Sequence, residues 1–219
     1  MGIVSSMARE ARKALLICRK DLSIEWKSPD NIPSMFFFGL LVLVIFNFGF
    51  ESLALPFAQA GPGMLWVAFS FSGVLTFAHS FALEKEGDAM QGLLAAPIDP
   101  GSLYLGKMLA CLLSLTLVEA ALILIAAVLF DFNVFPVAGP LALVVPVHTL
   151  GYAAVGTIFS AMTARTRRGD VLLPILLFSL SVPLMISAVR CTHAALNGEP
   201  LTSGPTGAWL TMAGVFDLI

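Results

Sequence analysis

Pro100 to Phe130 reads "PGSLYLGKMLACLLSLTLVEAALILIAAVLF". Its opening places Gly101, four residues, Gly106 and Lys107 almost in the spacing of a phosphate-binding loop. Such a loop needs a preceding strand, glycine-rich backbone to cradle phosphate, and Ser or Thr after the lysine to hold magnesium. Met108 stands in that last place, and Ser102, Leu103, Tyr104 and Leu105 suit a helix. Pro100 fits the first helical position with Asp99 as its N-cap. Lys107 then falls near the start of that helix, where its stem is expected to snorkel to the surface. The stretch is therefore read as the mouth of a membrane helix, not a nucleotide site.

Composition agrees. The chain of 219 residues is 58% hydrophobic and 12% charged, with a mean hydropathy of +0.92. A soluble chain of this length cannot hide so much apolar surface in one core. Several runs reach the ~20 residues that cross a bilayer's hydrocarbon. They lie at 33–50, 64–83, 103–130, 139–163, 171–189 and 206–219. The last is short for a crossing and reads as a helix cut off at Ile219 or as a re-entrant segment. The fold class expected is an all-α integral membrane protein: six transmembrane helices over 33–219, preceded by a cytoplasmic amphipathic segment at 1–32.

Within 1–32, Ala11, Ala14, Leu15, Cys18, Leu22 and Trp26 recur at helical spacing between charged residues. That pattern suits a helix lying on a membrane face, or one packed on protein. It is too long and too charged for a signal peptide. "SPDNIP" ends it through Pro29 and Pro33. The basic residues set the orientation. Six lie in 1–32, two are Lys85 and Lys107, and three are Arg165, Arg167 and Arg168; the other side holds Arg190 alone. Basic loops stay cytoplasmic. The N-terminus, the 84–107 loop and "RTRRGD" are expected inside, in a multi-pass protein of the cell inner membrane.

Between the second and third spans, "ALEKEGDAMQGLLAAPIDP" reads as a short helix at the membrane surface. Glu84, Asp88 and Gln91 share one face, and Met90, Leu93, Leu94 and Pro97 another. Held between two spans, such a helix suits transmission of force from a partner. Glu86 adds a charge that could meet basic residues there.

"EKEGDAMQGLLAAPIDPGSLYLGK" resembles the acidic-Gly-Leu-Leu-x-x-Pro loop of ABC-2 type transporter permeases. More narrowly, the chain resembles the haem exporter protein B family, the membrane subunits of the cytochrome c maturation ABC transporter. "RKDLSIEWKS", "GMLWVAFSFSGVLTFAHSFALEKE", "LVEAALILIAAVLFDFNV" and "GYAAVGTIFSAMTARTRRGDVLLPILLFSLSVPLMISAVR" extend the likeness over about residues 10–190. Gly87–Asp88 stands where the family commonly has Asp then Gly, and Gln91 where it often has Glu. The resemblance implies a non-catalytic permease with a cytoplasmic ABC ATPase partner and ATP hydrolysed in that separate chain. It implies a role in haem export or in release of a haem chaperone. It also implies a haem-handling membrane protein, a small single-span subunit and a periplasmic haem chaperone as partners. Haem would be a handled or transported ligand and not a firmly bound cofactor. The ATPase-coupling residues expected are Glu84, Glu86, Asp88, Met90, Leu93, Leu94 and Pro97.

Few other constellations carry chemistry. Glu119 is the one carboxylate deep in an apolar run. An ionised side chain there costs at least about 2.5–3.5 kcal/mol, so it should face the bundle interior, paired or protonated. It is the candidate intramembrane functional residue, and packing explains it equally well. His79, His148 and His193 have no metal-ligand spacing, and Cys18, Cys111 and Cys191 form no CxxC pair. Arg165, Arg167 and Arg168 suit a positive-inside anchor that also attracts anionic lipid; nothing favours nucleic acid. A self-sufficient secondary transporter or channel is the alternative. It would need mid-membrane coupling residues, and Glu119 is nearly all the sequence offers.

Overall fold

The computed structural model describes residues 2–27, 31–51, 56–81, 99–164, 166 and 169–218. Among them the chain is all helix: α1 Gly2–Lys27, α2 Asn31–Glu51, α3 Phe57–Ser80, α4 Pro100–Leu129, α5 Ala138–Thr163, α6 Gly169–Leu196 and α7 Gly204–Leu218, with a 3₁₀ turn at Phe135–Val137. The segment holding Glu84 to Pro97, and Arg165, Arg167 and Arg168, lie outside the described residues.

Among the described residues, five helices are long and apolar enough to cross a membrane: α2, α3, α4, α5 with its leading 3₁₀ turn, and α6. The chain is a multi-pass membrane protein. Of the six crossings expected, these five have the needed length; the described part of α7 has 15 residues, about 22 Å against the ~30 Å of hydrocarbon.

Two boundaries differ from expectation. α3 begins at Phe57, before Pro62, which sequence reading takes for outer loop. Phe57 stacks on Phe132 with ring centroids 4.2 Å apart, and this contact holds the extra turn. α6 runs on through Arg190, Cys191 and His193 to Leu196. Cys191, Ala194 and Ala195 are buried there, and Thr192 accepts a hydrogen bond from Trp66 Nε1 at 2.8 Å. Buried contacts thus carry the helix past the arginine that seemed to end it. It stops at Gly198, whose φ of +70° suits glycine.

α3 is the hub, packed against α2, α4, α5 and α6, while α7 rests on α5 and α6. Phe69, Phe77, Leu115, Leu122, Leu177 and Leu184 fill the centre. Leu113, Leu124, Val128, Ile175, Leu180 and Ile186 face outward. An apolar exterior over a packed interior suits lipid as the surrounding solvent.

Candidate functional site

The N-terminal end of α4 gathers a group of polar side chains. Asp99 caps the helix, its carboxylate accepting from the Gly101 amide at 2.9 Å, and Pro100 opens the first turn as the sequence predicts. The Gly101–Lys107 stretch is continuous helix. Its inner amides are committed to that helix, so the near phosphate loop is not one.

α1 explains the stretch instead. It runs beside α4 in the same direction: Glu10 meets Ser102, Asp21 meets Lys107, and Glu25 meets Ser114. At Gly106 the helices approach so closely that a Cβ would lie 2.7 Å from the Ala14 carbonyl oxygen and 2.7 Å from Ile17 Cβ. α4 has 30 residues, about 45 Å, so roughly ten of them exceed what the hydrocarbon can cover. α1 packs along that end, burying Ala14, Ile17 and Cys18. Leu15, Leu16 and Trp26 remain exposed.

Lys107 corrects the sequence reading. It does not snorkel; it is 1% exposed. Its ammonium donates to the Ser80 carbonyl at 2.7 Å and to Asp21 Oδ2 at 3.3 Å, and lies 4.5 Å from the Phe81 ring centroid. A buried cation needs such partners. One lysine therefore ties α1, the end of α3 and the start of α4 together. Asp21 also pairs with Lys20 at 2.9 Å. Glu25 is buried and accepts from the Ser114 hydroxyl. A cavity of about 20 Å³ beside Asp21, Glu25, His79 and Cys111 has room for one water molecule.

Asp21 and Glu25 escape the sequence reading. The available signal is that acids four apart share one face of α1, while Lys107 and Ser114, seven apart, share one face of α4.

Burial pushes the Glu25 carboxyl above its ordinary 4.5, and the Ser114 hydrogen bond only partly offsets this. A carboxyl with a raised folded-state value stabilises fully below the unfolded value and loses that contribution as pH rises through the folded one. α1 is accordingly expected to separate from α4 more readily as pH climbs past that window. Hydrogen exchange of α1, corrected for its intrinsic pH dependence, should show protection falling. Glu25→Gln should flatten the dependence; an unchanged slope in that variant would remove Glu25 as the cause.

Deeper in the bundle, Glu119 is 1% exposed and faces inward, as expected. The Thr149 hydroxyl lies 2.7 Å from its carboxylate and 2.8 Å from the Val145 carbonyl, with one proton to share between them. His148 lies with Nδ1 2.8 Å from the Val144 carbonyl and Nε2 2.9 Å from Ser187 Oγ, whose hydroxyl donates to the Trp209 carbonyl. His79 bonds the Leu75 carbonyl of its own helix, and His193 lies beside Asn197. Among the described residues no three His, Cys, Asp or Glu side chains converge as metal ligands, and the three cysteines are buried and free. The polar groups of the bundle serve to join helices α4, α5, α6 and α7.

A family model described as CcmB protein matches residues 12–218. The chain belongs to the CcmB protein family. Similar proteins bear the name heme exporter protein B. That of Paracoccus denitrificans is 28% identical over 92% of this chain and 91% of its own length. The Haemophilus influenzae protein is 28% identical over 83% and 81%. The Escherichia coli K12 protein is 27% identical over 84% of each. The match to the CcmB family takes in α1 from Arg12 onward, so the Asp21–Lys107 and Glu25–Ser114 contacts lie within the matched residues.

Proposed function

We propose that this chain is the membrane-spanning permease of an ABC transporter serving cytochrome c biogenesis, with ATP hydrolysed by a separate cytoplasmic subunit. The family match over residues 12–218 carries the reading, because the relatives named heme exporter protein B cover most of the same chain. In this reading haem is exported, or a loaded periplasmic haem chaperone is released. A haem-handling membrane protein and a small single-span subunit complete the assembly. The chain sits in the cell inner membrane with its N-terminus cytoplasmic, on the strength of its basic residues. α1 rests its exposed Leu15, Leu16 and Trp26 against the inner leaflet, and α7 occupies the place of a sixth span.

The ATPase docks on the segment between α3 and α4. Met90, Leu93 and Leu94 offer it an apolar anchor, and Glu84, Glu86 and Asp88 offer charge, with Pro97 closing the segment. Co-purification of the ATPase at matched membrane expression tests this. Leu93→Asp should cut the yield by about tenfold, as loss of an interface anchor of roughly 1.4 kcal/mol does. Glu86→Lys should cut it less, with the effect growing at low salt. Wild-type yield from both variants would move the docking surface elsewhere.

A further inference from the structure

One face of α1 carries a groove that the coupling reading does not use. Its apolar lining is Leu15, Cys18, Leu22 and Trp26 of α1 with Leu113 of α4, and its volume is about 570 Å³. That size lies within the roughly 300–1,000 Å³ of ordinary ligand sites. The α1 members recur at steps of three and four, so they form one continuous stripe. Leu113 is 51% exposed and belongs to the outward face of α4, so the groove opens where lipid would lie.

Two cations line this apolar groove, Arg19 and Lys27, both exposed. They stand eight residues apart, about 12 Å along the helix, and their arms can reach a phosphate placed between them. Neither has a carboxylate partner among the described residues, in contrast to Lys13 on Glu10 and Lys20 on Asp21. An apolar trough flanked by two such cations, with a tryptophan at one end, is complementary to a molecule with an apolar tail and an anionic head. Tryptophan prefers the headgroup level.

The geometry points to a bound anionic phospholipid, its acyl chain along Leu22 and Leu113 and its phosphate between Arg19 and Lys27. The site rests on the reading that α1 meets the membrane surface. It gives the inner-leaflet lipid a direct hold on the helix that clamps α4. Two cations facing one anionic headgroup should enrich such a lipid over a neutral one by roughly tenfold or more.

Tryptophan fluorescence of the full chain in nanodiscs tests it. The chain has three tryptophans, and Trp26 is 70% exposed while Trp66 is 2% exposed. The difference between the wild-type and Trp26→Phe proteins isolates the Trp26 signal. Brominated phosphatidylglycerol should quench that signal several-fold more than brominated phosphatidylcholine at equal mole fraction. Arg19→Gln with Lys27→Gln should erase the difference. Arg9→Gln with Arg12→Gln, the same charge removed elsewhere on α1, should keep it. Equal quenching by both lipids in the wild type, or equal loss in the two double variants, would overturn the site. No quenching by either lipid would overturn the placement of α1 at the membrane along with it.

Discussion

Replacing Gly156 by leucine is expected to break the packing of α3 on α5 and to cost the bundle more than any single change at its surface. The two helices meet through a reciprocal pair. Phe77 of α3 lies against Gly156 of α5, where an added Cβ would clash with its ring. Tyr152 of α5 lies against Gly73 of α3 in the same way. The two rings touch edge to face, 5.4 Å apart, and both are buried. The Tyr152 hydroxyl then donates to the Ser70 carbonyl at 2.8 Å. Lipid is as apolar as leucine, so helices in a bilayer associate through close packing, and small residues allow it. Overpacking a core typically costs about 1–3 kcal/mol; this site should sit at the top, because each ring is held by the other. A melting temperature lower by about 5–10 °C in detergent is the expected reading. Adding Phe77→Ala should recover part of the loss by opening space. A Gly156→Leu protein melting with the wild type would show that the pair does not set the α3–α5 distance.

That packing is invisible in the sequence, although the helices are not. The unbroken apolar run through Leu129 identifies α4, and Asp99–Pro100 marks its start, because capping is local chemistry. The 190–196 extension of α6 is illegible for the opposite reason. Arg190 reads as an outer boundary, yet Thr192 is held by Trp66, 126 residues away, and no local pattern announces such a partner. Glu119 was legible as an inward-facing acid because hydrocarbon leaves a carboxylate few options, but its partner Thr149 was not. His148 likewise reads as an isolated histidine until α6 and α7 bring Ser187 and the Trp209 carbonyl to it. Lys107 is the sharpest contrast. Its spacing imitates a phosphate loop and its position invites snorkelling, while burial against α1 decides what it does.

Replacing Lys107 by methionine is therefore expected to free α1 from the bundle. Methionine keeps much of the stem's packing and removes the charge. The Ser80 carbonyl loses its 2.7 Å donor, and Asp21, with its side chain 13% exposed, loses its buried cation. Breaking a fully buried pair costs about 3–5 kcal/mol. Asp21 keeps Lys20 at 2.9 Å, so about 2–3 kcal/mol is expected here. The loss should be local, since the α2–α6 core does not depend on this contact. Hydrogen exchange should accelerate along α1 by roughly thirtyfold or more, with α3 and α5 little changed. Adding Asp21→Leu should restore most of the protection, because replacing both partners of an ion pair by apolar groups is often nearly neutral. A surface-snorkelling lysine predicts the reverse: no change in α1 protection from either variant. If the ATPase drives this protein through the segment between α3 and α4, the lysine that joins the end of α3, the start of α4 and α1 lies at the junction that must move as one body. Lys107→Met should then leave the ATPase bound and its ATP binding intact while uncoupling hydrolysis from transport, and loss of ATP binding in an assembled complex would contradict this account.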